Sequence, residues 1–116
     1  MSVSAALSFR LGLGLSALLL LSVAAQAEDP VTYELSLKGT AFIPAEIEVP
    51  ADKPFIIKFS NGNAAPAELE AKELNIEKVA PGNSAIMVRV KAQRPGKYLF
   101  VDEYQEDVAK GHVIVK

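Results

Sequence analysis

The chain has 116 residues, with 12 Lys and Arg against 14 Asp and Glu, one His and no Cys. A mildly acidic chain without a basic run is a poor match for nucleic acid or anionic lipid. The absence of Cys excludes disulfides, thiol catalysis and thiolate-bound metals, and a single His excludes a His-rich zinc site.

The N-terminal segment predicts an export signal. Residues 11–27 carry no charge, follow Arg10, and end at the small-x-small triplet Ala25-Gln26-Ala27. This apolar stretch is shorter than the about 20 residues of a membrane-spanning helix, so we interpret residues 1–27 as a secretory signal peptide. Cleavage leaves residues 28–116 as one exported domain without a membrane span. The alternative is an uncleaved N-terminal anchor.

The rest of the chain is typical of short strands separated by turns. Apolar and polar residues alternate with period two in several runs, centred on Leu35, Ile47, Ile57, Val88 and Phe100. Residues 64–78 allow two interpretations: a short helix, or a strand at residues 67–69 followed by a loop. Six or seven short strands with no long helix predict an all-β fold, either a β-sandwich or a small barrel.

Motifs in a particular order resemble the cupredoxin-like domain. Residues 44–54 resemble the family pattern Pro-x-x-Ile-x-Val-Pro-Ala-Gly-x-Pro, with Asp52 in place of Gly. A strand ending in Asn61 follows, and then a Pro-Gly-x-Tyr-x-Phe strand at residues 95–100 and a last strand at residues 110–115. The resemblance covers nearly all of residues 31–116 and implies a cupredoxin-like Greek-key β-sandwich.

The ligands of a blue copper site are missing from this frame. Such a site needs two His, one Cys and a weak axial Met. The positions that the resemblance assigns to them hold other residues: Ala67 or Glu68 for the first His, Asp102 for the Cys, Gln105 for the second His, and Val108 or Ala109 for the Met. No type 1 copper centre is therefore expected.

Carboxylates gather where the ligands were lost. By the period-two rule Asp102 shares a face with Tyr98 and Phe100, so it leans toward the former site. The candidate metal ligands are Glu68, Glu70, Asp102, Glu103 and His112. Oxygen ligands suit iron, manganese and calcium and can also hold Cu²⁺, so the candidate cofactor is an iron or copper ion. The alternative is a solvated acidic loop, an edge strand facing water and a surface His.

The segments 68–70, 77–79 and 100–104, the last of which opens an acidic loop, also resemble small periplasmic cupredoxin-like proteins that accompany bacterial iron permeases. That resemblance implies a periplasmic metal-binding accessory protein for iron or copper uptake, partnered by a membrane iron permease or another periplasmic metal protein. Two other function classes stay open: a metal-free interaction module, and an enzyme of ferroxidase-like or paired-carboxylate hydrolase type. We do not expect catalysis, because Gln105 stands where that family has a His and a small sandwich rarely offers a substrate cleft.

Overall fold

The computed structural model describes residues 29–116, and the predicted signal peptide at residues 1–27 lies outside the described residues. The described part is built from strands: β1 (Val31–Lys38), β2 (Ala41–Ile43), β3 (Glu46–Val49), β4 (Phe55–Asn61), β5 (Ala67–Ala71), β6 (Ile76–Ala80), β7 (Ser84–Val90), β8 (Gly96–Asp102) and β9 (Lys110–Val115). Two short 3₁₀ turns, Lys72–Leu74 and Glu103–Gln105, complete it. No helix within residues 29–116 has the length and apolar character to cross a membrane.

The strands form two sheets packed face to face. One sheet has the order β2-β1-β4-β7, and the other has the order β3-β9-β8-β5-β6. The β1–β4 and β3–β9 pairs are parallel, and the remaining pairs are antiparallel. The predicted all-β cupredoxin-like Greek-key β-sandwich is thereby confirmed.

Residues 64–78 form a hairpin rather than a helix. Ala67, Leu69 and Ala71 are buried at every second position of β5, which is the period of a strand. The chain then turns through residues 72–75, where Asn75 adopts the left-handed conformation with φ 57°, and returns as β6. The strand alternative was therefore right for β5, while the expected loop after it contains a further strand.

The core lies between the sheets and contains the apolar residues predicted by alternation. Phe59 and Phe100 are buried, and Phe42 joins them with ring-centroid distances of 6.1 Å to Phe59 and 4.9 Å to Phe100. Gly111 supports this packing, because a Cβ there would lie 2.6 Å from the Ala45 carbonyl oxygen and would also collide with the Phe100 ring. The aromatic core thus extends to the strand end that carries Asp102.

Asp52 departs from the family pattern at a position where the backbone explains the usual Gly. Its φ is 59°, which is the left-handed region that glycine adopts without a steric penalty. Aspartate is one of the few other residues that enter this region readily. The departure is therefore compatible with the same turn.

Candidate metal centre

Asp102, at the position that the resemblance assigns to the Cys ligand, is almost entirely buried, with 1% exposure. Its Oδ1 accepts hydrogen bonds from the backbone N–H groups of Glu68 at 3.0 Å and Tyr104 at 3.2 Å. Its Oδ2 accepts a hydrogen bond from Gln105 Nε2 at 2.9 Å. Protein donors thus surround both oxygens, as a buried carboxylate requires.

Gln105, at the position that the resemblance assigns to the second His, connects neighbouring loops. Besides Asp102, its Nε2 donates to the Gly39 carbonyl oxygen at 3.3 Å. Gly39 in turn exchanges two hydrogen bonds with the Asn63 side chain, at 2.7 and 2.9 Å. A continuous hydrogen-bond network therefore runs across this end of the sandwich, through the positions that the resemblance assigns to copper ligands.

A cluster of carboxylates lies next to this network, on the outer face of the second sheet. One carboxylate oxygen each from Glu68, Glu77 and Glu103 lies within 4.8 Å of the other two. Glu68 comes from β5, Glu77 from β6 and Glu103 from the turn after β8. We call these three residues the carboxylate cluster. Their oxygens come from three separate segments that the hairpin and the β8 turn bring together.

Glu70 lies at the border of the carboxylate cluster. It faces Glu77 across the β5–β6 pair, and its interaction with Glu103 contributes to the raised pKa of Glu103. Its side chain is only 11% exposed and forms an ion pair of 3.6 Å with Lys72. Like charges directly opposite each other weaken a sheet. This arrangement therefore carries a repulsion that a cation or a proton relieves.

The neighbouring carboxylates change the pKa of Glu103 in particular. Hydrogen bonds to Glu68 and Glu70, with smaller contributions from desolvation and from their negative charges, raise the pKa of Glu103 from 4.5 to about 7. The protonated carboxyl can donate to a neighbouring carboxylate, and the ionised form cannot. Desolvation, followed by the charge of Glu68, likewise raises the pKa of Tyr104.

The five candidate ligands predicted from the sequence lie in three different surroundings. Glu68 and Glu103 belong to the carboxylate cluster, and Glu70 borders it. Asp102 is buried beside the cluster, where its carboxylate accepts hydrogen bonds from the backbone N–H groups of Glu68 and Tyr104. His112 lies on β9, where it is paired with Glu46 and Leu99, and it is not in the cluster. Whether any of them binds a metal stays a prediction.

Glu77 is the cluster residue that the sequence analysis did not select. Its position depends on the β5–β6 pairing, which places Glu77 opposite Glu70. A hairpin interpretation of residues 64–78 would have brought the two acids together, because directly paired residues share a face of the sheet. The sequence analysis left both a helix and a strand open for residues 64–78, and for that reason it did not identify Glu77 as a cluster residue.

The raised pKa of Glu103 predicts a stability that falls with increasing pH. Since the folded protein holds the Glu103 proton up to about pH 7 and the unfolded chain only to about 4.5, the folded state binds more protons between these values. The stabilisation of the folded state by the Glu103 proton is complete below pH 4.5 and is lost as the pH rises through 7. Urea unfolding at several values from pH 5 to pH 8 measures it.

In that experiment Glu103→Gln should lose less stability than the wild type between pH 5 and pH 8. Glu106→Gln, on the same loop but outside the carboxylate cluster, is the matched control and should keep the wild-type dependence. Equal slopes for wild type and Glu103→Gln would contradict the proton sharing.

The two sheets and the altered ligand positions define a cupredoxin-type sandwich that has no type 1 copper site, since the chain contains no Cys. The family model described as the cupredoxin-like domain matches residues 12–115, and the chain belongs to this family. An uncharacterized protein of Rickettsia prowazekii is 27% identical over 88 residues, which is 76% of this chain and 70% of that protein.

Solved structures agree with the family assignment. Auracyanin A, a blue copper protein of Chloroflexus aurantiacus, superposes with a TM-score of 0.63 at 21% identity, over 76% of this chain and all of that one. The metal-binding domain of the Cu(I)-exporting P-type ATPase CopA of Streptococcus pneumoniae gives 0.65 at 18% identity, over 78% and 90%. At these identities the likeness establishes the fold alone.

The donors at the positions that the resemblance assigns to the copper ligands do not fit a type 1 copper centre. Asp102 and Gln105 offer oxygen and amide groups that are bonded to each other, whereas a type 1 centre requires a thiolate and two imidazoles. The carboxylate cluster offers a different donor set, made of hard oxygens only. Its chemistry fits a hard divalent cation.

Proposed function

We propose that this protein binds a hard divalent cation through the carboxylate cluster, as an exported metal-handling accessory protein. The observation that carries the proposal is the approach of the Glu68, Glu77 and Glu103 oxygens to within 4.8 Å of one another. From that separation, small side-chain movements would bring all three oxygens to one ion at metal–oxygen distances of about 2.0–2.6 Å.

The charge balance supports the same proposal. The raised pKa of Glu103 means that the apo cluster retains a proton near neutral pH to reduce repulsion. A divalent cation removes that repulsion more completely, and it must displace the proton to bind. Three carboxylates without thiolate, thioether or imidazole offer nothing that selects Cu⁺, so the proposed ion is a hard divalent cation such as Fe²⁺ or Mn²⁺.

Export and the partner belong to the proposal as well. The N-terminal signal predicted over residues 1–27 supports a periplasmic location, and the resemblance to proteins beside iron permeases supports a membrane iron permease or another periplasmic metal protein as partner. An iron permease gene adjacent to this one would strengthen the iron-uptake role.

Calorimetric titration of the purified protein with Mn²⁺, Cu²⁺ and, without oxygen, Fe²⁺ tests the proposal. We expect binding of Mn²⁺ and Fe²⁺ that is about tenfold tighter at pH 8 than at pH 6, because at pH 6 about nine-tenths of Glu103 is protonated. Glu103→Gln should weaken the binding about tenfold or more and remove most of its pH dependence.

Glu73→Gln is the matched control for this titration. Glu73 lies in the turn after β5 and is exposed, but it is outside the carboxylate cluster. Its loss should leave the affinity unchanged. Absence of heat with every ion, or equal losses in Glu73→Gln and Glu103→Gln, would rule out the proposed site.

A second candidate function is a metal-free docking module at the same end of the sandwich. The exposure of Tyr104 (56%) and Val108 (63%) beside the acidic residues favours it. The hydrogen-bond network around Asp102 also completes the loops without a metal at the former copper position. A negative metal titration combined with an intact fold would favour this function over metal binding.

A further inference from the structure

The carboxylate of Asp102 links two segments that bear cluster residues. The β5–β8 ladder contains only the pairs Leu69–Asp102 and Glu70–Val101. Beyond the end of this ladder, the Asp102 side chain continues the contact by accepting from the Glu68 N–H at 3.0 Å. The position of Glu68 relative to β8 thus depends on a side chain as well as on the sheet.

The same oxygen atom also fixes the turn that carries Glu103. Asp102 is the N-cap of the 3₁₀ turn Glu103–Gln105, and its Oδ1 accepts from the Tyr104 N–H. A side-chain oxygen at this position satisfies a backbone donor that would otherwise lack a partner. One buried oxygen therefore holds the backbone of Glu68 and the turn containing Glu103.

We propose that Asp102 is a positioning residue, which holds the Glu68 and Glu103 carboxylates side by side without binding the cation itself. The inference deepens the proposed function and rests on it. The carboxylate has both oxygens engaged by protein donors and is 1% exposed, so it organises the carboxylate cluster from beneath.

Two substitutions separate this role from a general effect on folding. Asp102→Ala removes all three hydrogen bonds. Asp102→Asn keeps an Oδ1 acceptor for the two backbone donors and puts an N–H₂ donor opposite Gln105, whose amide can turn to present its oxygen. Asn also caps short helical turns as well as Asp does. Val88→Ala is the stability control, because Val88 is buried in the other sheet, on β7.

The first measurement uses the protein without metal. Nuclear Overhauser contacts between the side chains of Glu68 and Glu103 report their approach, and amide exchange reports the protection of the Glu68 and Tyr104 N–H groups. In Asp102→Ala the contacts should vanish and exchange should become about tenfold faster or more. Asp102→Asn and Val88→Ala should keep the contacts. Retention of the contacts in Asp102→Ala overturns the inference.

The second measurement is Mn²⁺ titration of the same proteins. Loss of a group that orients metal ligands weakens binding by about 10- to 100-fold, so we expect this range for Asp102→Ala. Asp102→Asn should stay close to the wild type, and Val88→Ala should bind as the wild type does. If Asp102→Ala does not fold, Asp102→Ser takes its place, because its shorter side chain still caps Tyr104 but does not reach Glu68.

The outcomes distinguish this inference from the proposed function. Equal Mn²⁺ affinity in wild type and Asp102→Ala overturns the positioning role and leaves the metal site intact. Loss of Mn²⁺ binding with the side-chain contacts retained also overturns it, because Asp102 would then act as a ligand. If the wild type binds no Mn²⁺, the proposed function fails, and the metal-free contacts alone decide whether Asp102 holds the two carboxylates together.

Discussion

Phe100→Ala should lower the free energy of unfolding by about 3–5 kcal/mol, which is the usual cost of truncating a buried Phe. Phe100 is 1% exposed, and its ring packs against Phe42 with a centroid distance of 4.9 Å and an interplanar angle of 68°. The ring also fills the space over Gly111, where the backbone lacks a side chain. Its removal leaves a cavity that the pairing of Phe100 with Gly111 of β9 and the packing of the two sheets keep from closing.

Leu99→Ala is the matched control, because Leu99 is the preceding residue of the same strand and faces outward with 43% exposure. Its truncation should cost less than about 1 kcal/mol. Urea unfolding measures both variants, and thermal unfolding should show a midpoint fall of roughly 4–8 °C for each kcal/mol lost. Similar losses for the two variants would contradict the packing described for Phe100.

Phe100→Ala also tests whether the aromatic core supports metal binding at the carboxylate cluster. Phe100 and Asp102 lie on the same face of β8 two residues apart, so the ring supports the strand end from which Asp102 reaches Glu68. A cavity at Phe100 should therefore weaken Mn²⁺ binding in protein that is still folded. Leu99→Ala should not have this effect.

The fold was largely readable from the sequence because half-buried strands have a local signature. Leu35, Ile57 and Phe100 each lie in a run where apolar residues recur at every second position, and all three are buried. Alternation requires no knowledge of partner strands. The ends of strands were also readable where Asn61 and Pro50 stop them.

The hairpin of β5 and β6 was less readable because its local preferences conflict with its tertiary position. Ala, Glu, Lys and Leu favour a helix, yet Leu69 is buried only because β5 completes a sheet between β8 and β6. Pairing of this kind is decided by contacts distant in sequence. The carboxylate cluster was hard to predict for the same reason, because Glu77 approaches Glu68 and Glu103 only through that pairing.

Asp102 shows a different limit of sequence reasoning. The alternation correctly placed it on the buried face that it shares with Phe100. Its partners are the backbone N–H groups of Glu68 and Tyr104. Almost every residue type has a backbone N–H, so the sequence does not show which of them will donate to Asp102. A carboxylate at a ligand position can therefore serve as an N-cap and a strand clamp as well as a metal ligand.

Asn61→Ala should destabilise the protein by about 2–4 kcal/mol, because buried backbone groups left without partners cost about 1–3 kcal/mol each and some of them regain water. Asn61 is 2% exposed, and its Nδ2 donates to three carbonyl oxygens, those of Ala65 (2.9 Å), Ala80 (3.2 Å) and Pro81 (3.2 Å). Its Oδ1 accepts from the Asn63 N–H at 3.0 Å. One side chain thus ties the loop before β5 to the end of β6.

The neighbouring substitution Ser60→Ala is the control, since Ser60 lies on the opposite face of β4, and its loss should change stability by no more than about 0.5 kcal/mol. Urea unfolding with circular dichroism measures both variants. Equal stabilities of wild type and Asn61→Ala would show that the loops around Asn61 do not depend on this side chain.

Asn61→Asp separates the hydrogen bonds from the shape of the side chain. At pH 7 its carboxylate would face the carbonyl oxygens of Ala80 and Pro81 without a proton to donate, so this variant should be at least as unstable as Asn61→Ala. Burial against these carbonyl oxygens raises the pKa of such a carboxyl, and the folded state then binds a proton more tightly than the unfolded chain does. Stability relative to Asn61→Ala should therefore recover as the pH falls from 7 to 5. A pH-independent difference between the two variants would mean that water reaches this side chain. The amide donors of Asn61 would then not be what holds the β5–β6 hairpin, which carries Glu68 and Glu77, against the first sheet.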